Sequence, residues 1–302
     1  MSVAHAAESS ETGDEYPQAN PYRGSVVVFG TMHGKERQVA PAFADILVAR
    51  VIAPLALDTD QFGTFAGETP RRVSPLEAAR AKARLAMAAT GHPYALASEA
   101  SYGPLPGIGW PGHEEFLLFL DDTRGLEIVE GHRALGIPGS AMRATSDTDI
   151  AEALTRAQWP SQAVIVRPAE PRTGQTAARA ITKGITDHGR LSAAITVAAA
   201  ESADGYALIE PDLRAHFNPS RQQVLTELSV TLAHRLATAC PACASPGYGR
   251  TGTETGLPCA DCRFPSNQAR ADVHSCAMCP HQHSELRPEK TAEPVWCPNC
   301  NP

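Results

Sequence analysis

The sequence predicts an α/β fold, with a mixed or parallel sheet flanked by helices, followed by a separate cysteine-rich module. The α/β prediction rests on short apolar runs of strand length that alternate with amphipathic stretches of helical length. The module is predicted because all eight cysteines of the 302-residue chain lie in its last fifth, as four Cys-x-x-Cys pairs. We therefore expect two differently built regions in one chain.

Helix boundaries are the clearest local signals. Ser74, Pro75 and Glu77 form a capping box that begins one helix, and Asn218 caps a long helix that leads into the cysteine-rich module. The other predicted helices lie at 36–48, 150–158 and 191–202. Buried-type strands are predicted at 25–30, 94–98, 116–120, 126–130, 163–167 and 206–210, with a further apolar run at 47–54 and an irregular Pro/Gly-rich loop at 104–112.

Composition divides the chain into four predicted segments. The first, 1–23, is too polar to bury apolar surface and is expected to be a disordered leader. An α/β domain is predicted at 24–144, a second α/β portion ending in a long helix at 145–238, and a module with two tandem four-cysteine zinc sites, a double zinc ribbon, at 239–302.

Charge and hydropathy exclude some classes of function. No stretch approaches the roughly 20 apolar residues that cross a bilayer, so no membrane partner is expected. The formal net charge is −7, and each zinc site with four thiolates would add about −2, so binding to nucleic acid is disfavoured. Clustered cysteine pairs favour metal over disulfides and hence a cytoplasmic location.

The cysteine pairs predict two structural zinc ions. A Cys-x-x-Cys turn presents two sulfurs on one side of a tight knuckle, and two knuckles complete a tetrahedron. Fifteen residues separate the first two knuckles and seventeen the last two, so sequential pairing closes the shorter loops and is favoured; pairing of the first with the third stays open. The predicted ligands are Cys240, Cys243, Cys259, Cys262, Cys276, Cys279, Cys297 and Cys300. Because sulfur fills every coordination position, the role is structural rather than catalytic.

Two polar loops follow predicted strands and precede helices, where free amides and the helix dipole favour an anion. In the first, the candidate phosphate-binding residues are Thr31, His33, Lys35 and Arg37; the alternative is a solvated turn. In the second they are Asp212, Arg214, His216 and Arg221; the alternative is a loop braced by an Arg–Asp pair.

A third candidate cluster combines carboxylates suited to Mg²⁺ with guanidinium groups suited to phosphate. It comprises Asp58, Asp60, Glu68, Arg71, Arg72 and Glu99, the last at the end of a buried strand. Glu99 and the loop of Asp58 and Asp60 are predicted to hold the metal. Lys35, Arg214 and Arg221 are predicted to neutralise phosphate charge in the transition state. Of these, Glu99, Lys35 and Asp60 are the catalytic candidates. Lys82 is a further candidate for substrate binding, although its helix face is typical of a solvated surface.

Five motifs, at 30–36, 58–65, 77–83, 97–104 and 297–302, resemble the uncharacterised bacterial family called domain of unknown function 6671. More distantly, the N-terminal half is similar to the inosine/xanthosine triphosphate pyrophosphatase superfamily. That resemblance implies a phosphate loop, an acid at a helix start and a metal-binding acid at a strand end. Thr31, Lys35, Glu77, Lys82 and Glu99 would fill these places.

The leading functional hypothesis is a Mg²⁺-dependent hydrolase that acts on a nucleotide or another phosphorylated small molecule. The alternative is a non-catalytic ligand-sensing or adaptor protein whose zinc ribbons bind a protein or RNA partner. A protein partner or a homo-oligomer is compatible with both hypotheses.

Overall fold

The computed structural model describes residues 20–55, 57–63, 72–105, 107, 109–136, 139–171 and 181–302. Most of the predicted leader, 1–19, lies outside the described residues. The end of this leader was predicted to be disordered, but it is folded. Tyr22 is fully buried and donates a hydrogen bond from its hydroxyl to Asp121 Oδ2 at 3.1 Å. The folded part of the chain therefore includes residues that the polar composition had assigned to the leader.

The first sheet is mixed, as predicted, and has the strand order β2-β1-β3-β4-β5. β1 runs parallel to β2 and β3, whereas β3, β4 and β5 are antiparallel neighbours. The strands are β1 (Val26–Phe29), β2 (Arg50–Ile52), β3 (Tyr94–Pro104), β4 (Pro111–Asp121) and β5 (Leu126–Leu135). The irregular loop predicted at 104–112 is too long, because β3 and β4 continue as a hairpin until Pro104 pairs with Pro111.

Three helices cover the two faces of this sheet. They are α1 (Glu36–Leu47), α2 (Pro75–Thr90) and α5 (Pro219–Ala237). Leucines and aromatic residues of α1, α5 and the sheet form one buried cluster, whereas α2 packs on the other face through alanines. Gly30 permits this close packing, since a Cβ there would lie 2.4 Å from the backbone oxygen of Lys82. The capping box of Ser74 and Glu77 is confirmed.

A second sheet of four antiparallel strands has the order β6-β9-β7-β8. Its strands are β6 (Met142–Ala144), β7 (Val164–Pro168), β8 (Thr182–Ile185) and β9 (Ala207–Pro211), accompanied by α3 (Ala151–Arg156) and α4 (His188–Glu201). Leucine and isoleucine side chains of both helices pack with the strands in a separate apolar core. The predicted segment 145–238 thus ends in a helix, α5, that packs on the first sheet.

The C-terminal module is a three-stranded antiparallel meander. Its strands are β10 (Gly249–Thr255), β11 (Ala269–Ser275) and β12 (Gln282–Leu286), in that order. α5 leads directly into the module, and Arg235 near the end of α5 fixes the junction. Its guanidinium donates to the Gly247 carbonyl at 3.0 Å and pairs with Glu130 of β5 at 2.9 Å. The described helices include none with the length and apolar character of a membrane span.

Candidate functional site

The eight cysteines converge into two groups of four, and the ligand atoms of each group lie within 4.8 Å of one another. The groups are Cys240, Cys243, Cys276 and Cys279, and Cys259, Cys262, Cys297 and Cys300. Several Sγ–Sγ distances lie between 3.4 and 3.9 Å. Sulfurs at about 2.3 Å from a tetrahedral zinc are about 3.8 Å apart, whereas a disulfide needs about 2.0 Å. The donor set and its spacing therefore fit two structural zinc ions.

The knuckles pair first with third and second with fourth, so the favoured sequential pairing is wrong and the crossed alternative is confirmed. The meander explains this result. The start of β10, the end of β11 and the start of β12 lie at one end of the sheet, which brings the first and third knuckles together. Doubling a loop costs only about 0.6 kcal/mol, so loop length is too weak a criterion against sheet topology.

Local hydrogen bonds favour the thiolate form at two of the exposed ligands. The Ser245 hydroxyl lowers the pKa of Cys243 to about 6, and the backbone amide of Phe264 does the same for Cys262. The opposite holds at the exposed Cys300, because the neighbouring sulfur of Cys262 raises its pKa to about 12. The metal assignment therefore rests on the donor set and its spacing.

In the α/β part, the two predicted anion loops lie side by side. The first follows β1 and the second follows β9. The rings of His33 and His216 stack with centroids 5.0 Å apart and an angle of 21° between their planes. Partial burial against His33, together with nearby cations, lowers the pKa of His216 to about 4. Both histidines are therefore close enough to contact the same ligand.

Behind this contact, five buried ionisable side chains form a group that we call the charge cluster. Each is less than a tenth exposed. The cluster consists of Lys35, Lys82, Glu99, Glu115 and Arg221. Lys82 forms an ion pair with Glu99, and Arg221 binds Glu115 through two bonds of 2.7 and 2.9 Å. Two of the candidate phosphate ligands, Lys82 and Arg221, are thus engaged by internal carboxylates.

Lys35 is the cation in excess of the two ion pairs. Its Nζ donates to the carbonyl and the hydroxyl of Ser98, at 3.2 and 3.0 Å. Burial and the neighbouring Arg221 lower the pKa of Lys35 to about 8. At Glu115, burial alone would raise the pKa, but Arg221, the hydrogen bond with His113 and the charge of Lys35 together outweigh it and hold the value at about 2. The cluster therefore carries three cations and two carboxylates when all five groups are ionised.

The remaining predicted site residues have varied environments. Arg214 pairs with Asp212 at 2.6 Å, and the same carboxylate accepts the Gly184 amide at 3.0 Å, which matches the alternative of a braced loop. Arg37 is exposed, whereas Thr31 is buried beside the first loop. The Asp60 side chain lies outside the described residues, as do Glu68 and Arg71.

An open cleft of about 510 Å³ lies at the N terminus of α1. Its walls include Thr31 and Gly34 of the first loop, Glu36 of α1, and Leu57 and Asp58 from the chain after β2. Glu36 Oε2 is buried and, among the described residues, has no hydrogen-bond partner. No side chain in the described part of the chain caps α1, and the amides of Arg37 and Gln38 in its first turn donate to the carbonyls of Gly34 and Lys35, at 3.3 and 3.2 Å.

The carboxylates at this site agree only in part with those predicted. Glu99 belongs to the charge cluster, whereas Asp58 lines the cleft. Within the described ranges, groups of three or more metal-ligand side chains occur only at the two cysteine sites. Glu36 and Glu115 were missed by the sequence analysis. Glu115 lies where an irregular loop was expected to give way to a strand, so nothing in the local pattern marked it as buried.

The fold and the two cysteine groups define a class of protein, a mixed α/β protein with a C-terminal module that carries two four-cysteine sites suited to structural zinc. Comparison with models of protein families identifies the family of this chain. The model of the family described as Domain of unknown function (DUF6671) matches residues 82–302, and the chain belongs to that family. No curated protein shows a significant match to the chain. The resemblance to the inosine/xanthosine triphosphate pyrophosphatases stays a prediction.

Proposed function

We propose that the α/β part binds a phosphorylated small molecule, such as a nucleotide, together with Mg²⁺ in the cleft beside α1, and hydrolyses it. The observation that carries this proposal is the buried Glu36 Oε2, which has no partner among the described residues although it lines a cleft. Buried polar atoms are almost always hydrogen-bonded, so an unpartnered one calls for a missing ligand or water. A cation is the ligand that a carboxylate oxygen attracts.

The metal would be held from two sides of the cleft. Glu36 and Asp58 offer carboxylate oxygens, the ligands that Mg²⁺ prefers, and water completes its coordination shell in most protein sites. Glu36 would therefore take the role that the sequence analysis gave to Glu99 and Asp60. In hydrolysis, water attacks the phosphorus atom, the bond to the leaving oxygen breaks, and that oxygen takes up a proton.

Two features support phosphate beside the metal. The N terminus of α1, which no described side chain caps, presents the positive end of the helix dipole. The charge cluster behind it has one cation more than its carboxylates, and Lys35, which supplies that cation, sits at the start of the same helix. A volume of about 510 Å³ lies within the usual range for small-molecule sites. The zinc module is a scaffold in this proposal.

The experiment is an assay of phosphate release from a panel of nucleoside triphosphates with the zinc-loaded protein, with and without Mg²⁺. We expect Mg²⁺-dependent turnover that Glu36→Gln abolishes. Glu152→Gln is the matched control, because Glu152 also lies in the first turn of a helix but is exposed and is not part of the cleft lining. Turnover that is equal in the two variants would refute the role of Glu36.

A second candidate is ligand sensing without catalysis, and the burial of Glu99 against Lys82 favours it, because the acid first predicted to be catalytic is engaged inside the protein. Isothermal titration with the same nucleotides distinguishes the two. Saturable binding that needs Mg²⁺ and is lost in Glu36→Gln, without phosphate release by the wild type, would favour the sensor. Glu99→Gln separates a structural acid from a catalytic one, since a structural acid affects stability more than the rate.

A further inference from the structure

The cleft beside α1 is lined by two chemically different sets of side chains. The polar set is Thr31, Glu36 and Asp58, which includes both carboxylates of the proposed metal site. The other set, which we call the apolar lining, combines one residue of the first loop with four from the chain after β2. It consists of Met32, Ala53, Pro54, Leu55 and Leu57. Because both sets line one cleft of about 510 Å³, a single small molecule can contact both.

The segment that carries most of the apolar lining is held at both ends. At its start, Ile52 pairs in register with Val28, so the β1–β2 ladder fixes where the chain leaves the sheet. At its end, Leu57 is buried in the apolar cluster between the sheet and α2. Pro54 restricts the backbone between these points. A surface that is held in this way loses little conformational entropy when a ligand covers it.

Two members of the apolar lining are accessible to a ligand. Leu55 is fully exposed and Met32 is 48% exposed, although both line the cleft. Small-molecule sites are lined mainly by apolar side chains, with a few polar groups that fix the orientation of the ligand. The two sets of side chains in the cleft therefore fit a ligand that carries an apolar group as well as phosphate.

We infer that the apolar lining binds the base of a nucleotide and that it distinguishes little between the four common bases. This inference rests on the proposed function, because the phosphate groups and Mg²⁺ of the same ligand would contact the polar set. A base has apolar faces and polar edges. Its faces would cover the aliphatic side chains of the lining, and its edges would stay hydrated because the cleft is open and Leu55 is fully exposed.

Other phosphorylated small molecules fit the cleft less well. The hydroxyl groups of a sugar phosphate need hydrogen-bond partners, but two of the three polar side chains in the described lining are the carboxylates of the proposed metal site. A prenyl or acyl chain needs a closed apolar cavity, and the exposure of Leu55 shows that the lining is open to water. Inorganic pyrophosphate would leave the apolar lining uncovered.

The expected tolerance for different bases follows from the side chains that are present. Strong discrimination between similar ligands requires hydrogen bonds to their polar groups, whereas apolar contacts separate them weakly. The lining residues that the structure describes include no amide, guanidinium or imidazole side chain that could bind the edge of a base. Met32 is also unbranched and flexible, so it can adapt to bases of different size.

The test measures equilibrium binding to the full-length, zinc-loaded protein by isothermal titration in the presence of Mg²⁺. The probes are the β,γ-imido analogues of ATP, GTP, CTP and UTP, which resist hydrolysis, and imidodiphosphate, which carries phosphate without a base. We expect the four analogues to bind within about fivefold of one another, and about tenfold or more tightly than imidodiphosphate. The double variant Met32→Ser/Leu55→Ser should weaken all four analogues about tenfold and leave the binding of imidodiphosphate unchanged.

Leu135→Ser is the matched control, because Leu135 is 69% exposed but lies at the end of β5, outside the cleft lining. Imidodiphosphate that binds as tightly as the analogues, or an unchanged affinity of the double variant, would overturn the inference and leave the proposed function standing. A larger preference for one base, or tighter binding of geranyl diphosphate or ribose 5-phosphate, would do the same. Absence of Mg²⁺-dependent binding by every probe would overturn both.

Discussion

The α/β part and the zinc module are stabilised in different ways. The α/β part has three apolar clusters built from leucine, isoleucine, valine and aromatic side chains. In the module, the buried hydrophobic residues are Leu257, two alanines and three of the metal-binding cysteines. A segment with so little buried apolar surface cannot offset its own conformational entropy. In the module, the two four-cysteine sites therefore take the place of an apolar core.

The same contrast applies to charge. The α/β part contains buried ion pairs, Lys82–Glu99 and Arg221–Glu115, and removal of one partner leaves an uncompensated buried charge. In the module, the ion pairs on the sheet are exposed, and only the metal sites bring charged ligands close together. We therefore expect the two regions to respond differently to chelators, to pH and to substitution.

Removal of zinc should have the largest effect. Structural zinc contributes on the order of 10 kcal/mol to the folding of small domains, so chelation should unfold the module and leave the α/β part folded. Limited proteolysis with mass spectrometry would show new cleavage sites within 239–302 and none in the two α/β sheets. Simultaneous unfolding of both regions would refute the prediction that the α/β part stays folded without zinc.

The pairing of the knuckles can be tested by counting zinc. Cys262→Ser/Cys300→Ser removes two ligands from one site, so we expect one bound zinc per chain. Cys243→Ser/Cys262→Ser removes one ligand from each site and should lower the occupancy of both. Elemental analysis gives the two counts, and sequential pairing would reverse the two results.

Loss of the buried Glu115 carboxylate should destabilise the α/β part strongly. Glu115→Gln leaves Arg221 buried without a counter-charge, at a cost of about 3 to 5 kcal/mol in the free energy of unfolding. The control is Glu127→Gln, whose partner Arg80 is exposed, and a surface pair contributes about 0 to 1 kcal/mol. Urea denaturation measures both, and equal losses would contradict the role of burial.

The lowered pKa of Glu115 also predicts that the free energy of unfolding depends on pH in the acid range. The carboxylate stabilises the folded state fully above its unfolded pKa of about 4.5, and this contribution is lost as the pH falls towards about 2. Unfolding free energies of wild type and Glu115→Gln should therefore converge between pH 4.5 and 2. A constant difference across that range would show that Glu115 acts other than through its charge.

Substitution of Lys35 should have the smallest effect and the opposite sign. Its pKa falls from 10.5 to about 8 on folding, so a buried ammonium is a cost at neutral pH. Lys35→Met should raise the free energy of unfolding at pH 7 by roughly 1 to 3 kcal/mol. Between pH 8 and 10.5 the unfolded wild type binds the extra proton, so its stability rises with pH and the advantage of the variant disappears.

The matched control for Lys35 is Lys290→Met, because Lys290 is exposed in the module and should leave stability nearly unchanged. Denaturation curves of the wild type and of both variants at several pH values test this prediction. If Lys35→Met is destabilising at pH 7, its hydrogen bonds to Ser98 outweigh the cost of the buried charge. A stabilised variant that binds nucleotide less well would connect the buried lysine to function.

Much of the fold could be predicted because its signals are local. The strand at Val26–Phe29, the capping box at Ser74 and the Asn218 cap depend on residues that are neighbours in sequence, and all three are confirmed. β6 and β8 were missed because three or four residues with little apolar character give no periodic signal.

The site was harder to predict because its contacts are long-range. Glu115 and Arg221 are separated by 106 positions, and Lys82 and Glu99 come together only when α2 packs on the sheet. The sequence marked Lys82, Glu99 and Arg221 as candidates, but it could not show that they form internal ion pairs or that Glu115 takes part. The sulfur ligands were an exception, since the Cys-x-x-Cys spacing is itself a local signal, yet even there the partner knuckle depended on the meander.

The crossed order of the knuckles makes the two metal loops interlock. The second knuckle lies inside the loop closed by the first and third, and the third lies inside the loop closed by the second and fourth. No single cut can therefore divide the module into two halves that each keep a complete ligand set. A fragment that stops between Cys279 and Cys297 would retain one intact site and an orphaned pair of thiols, and a fragment that stops before Cys276 would retain none.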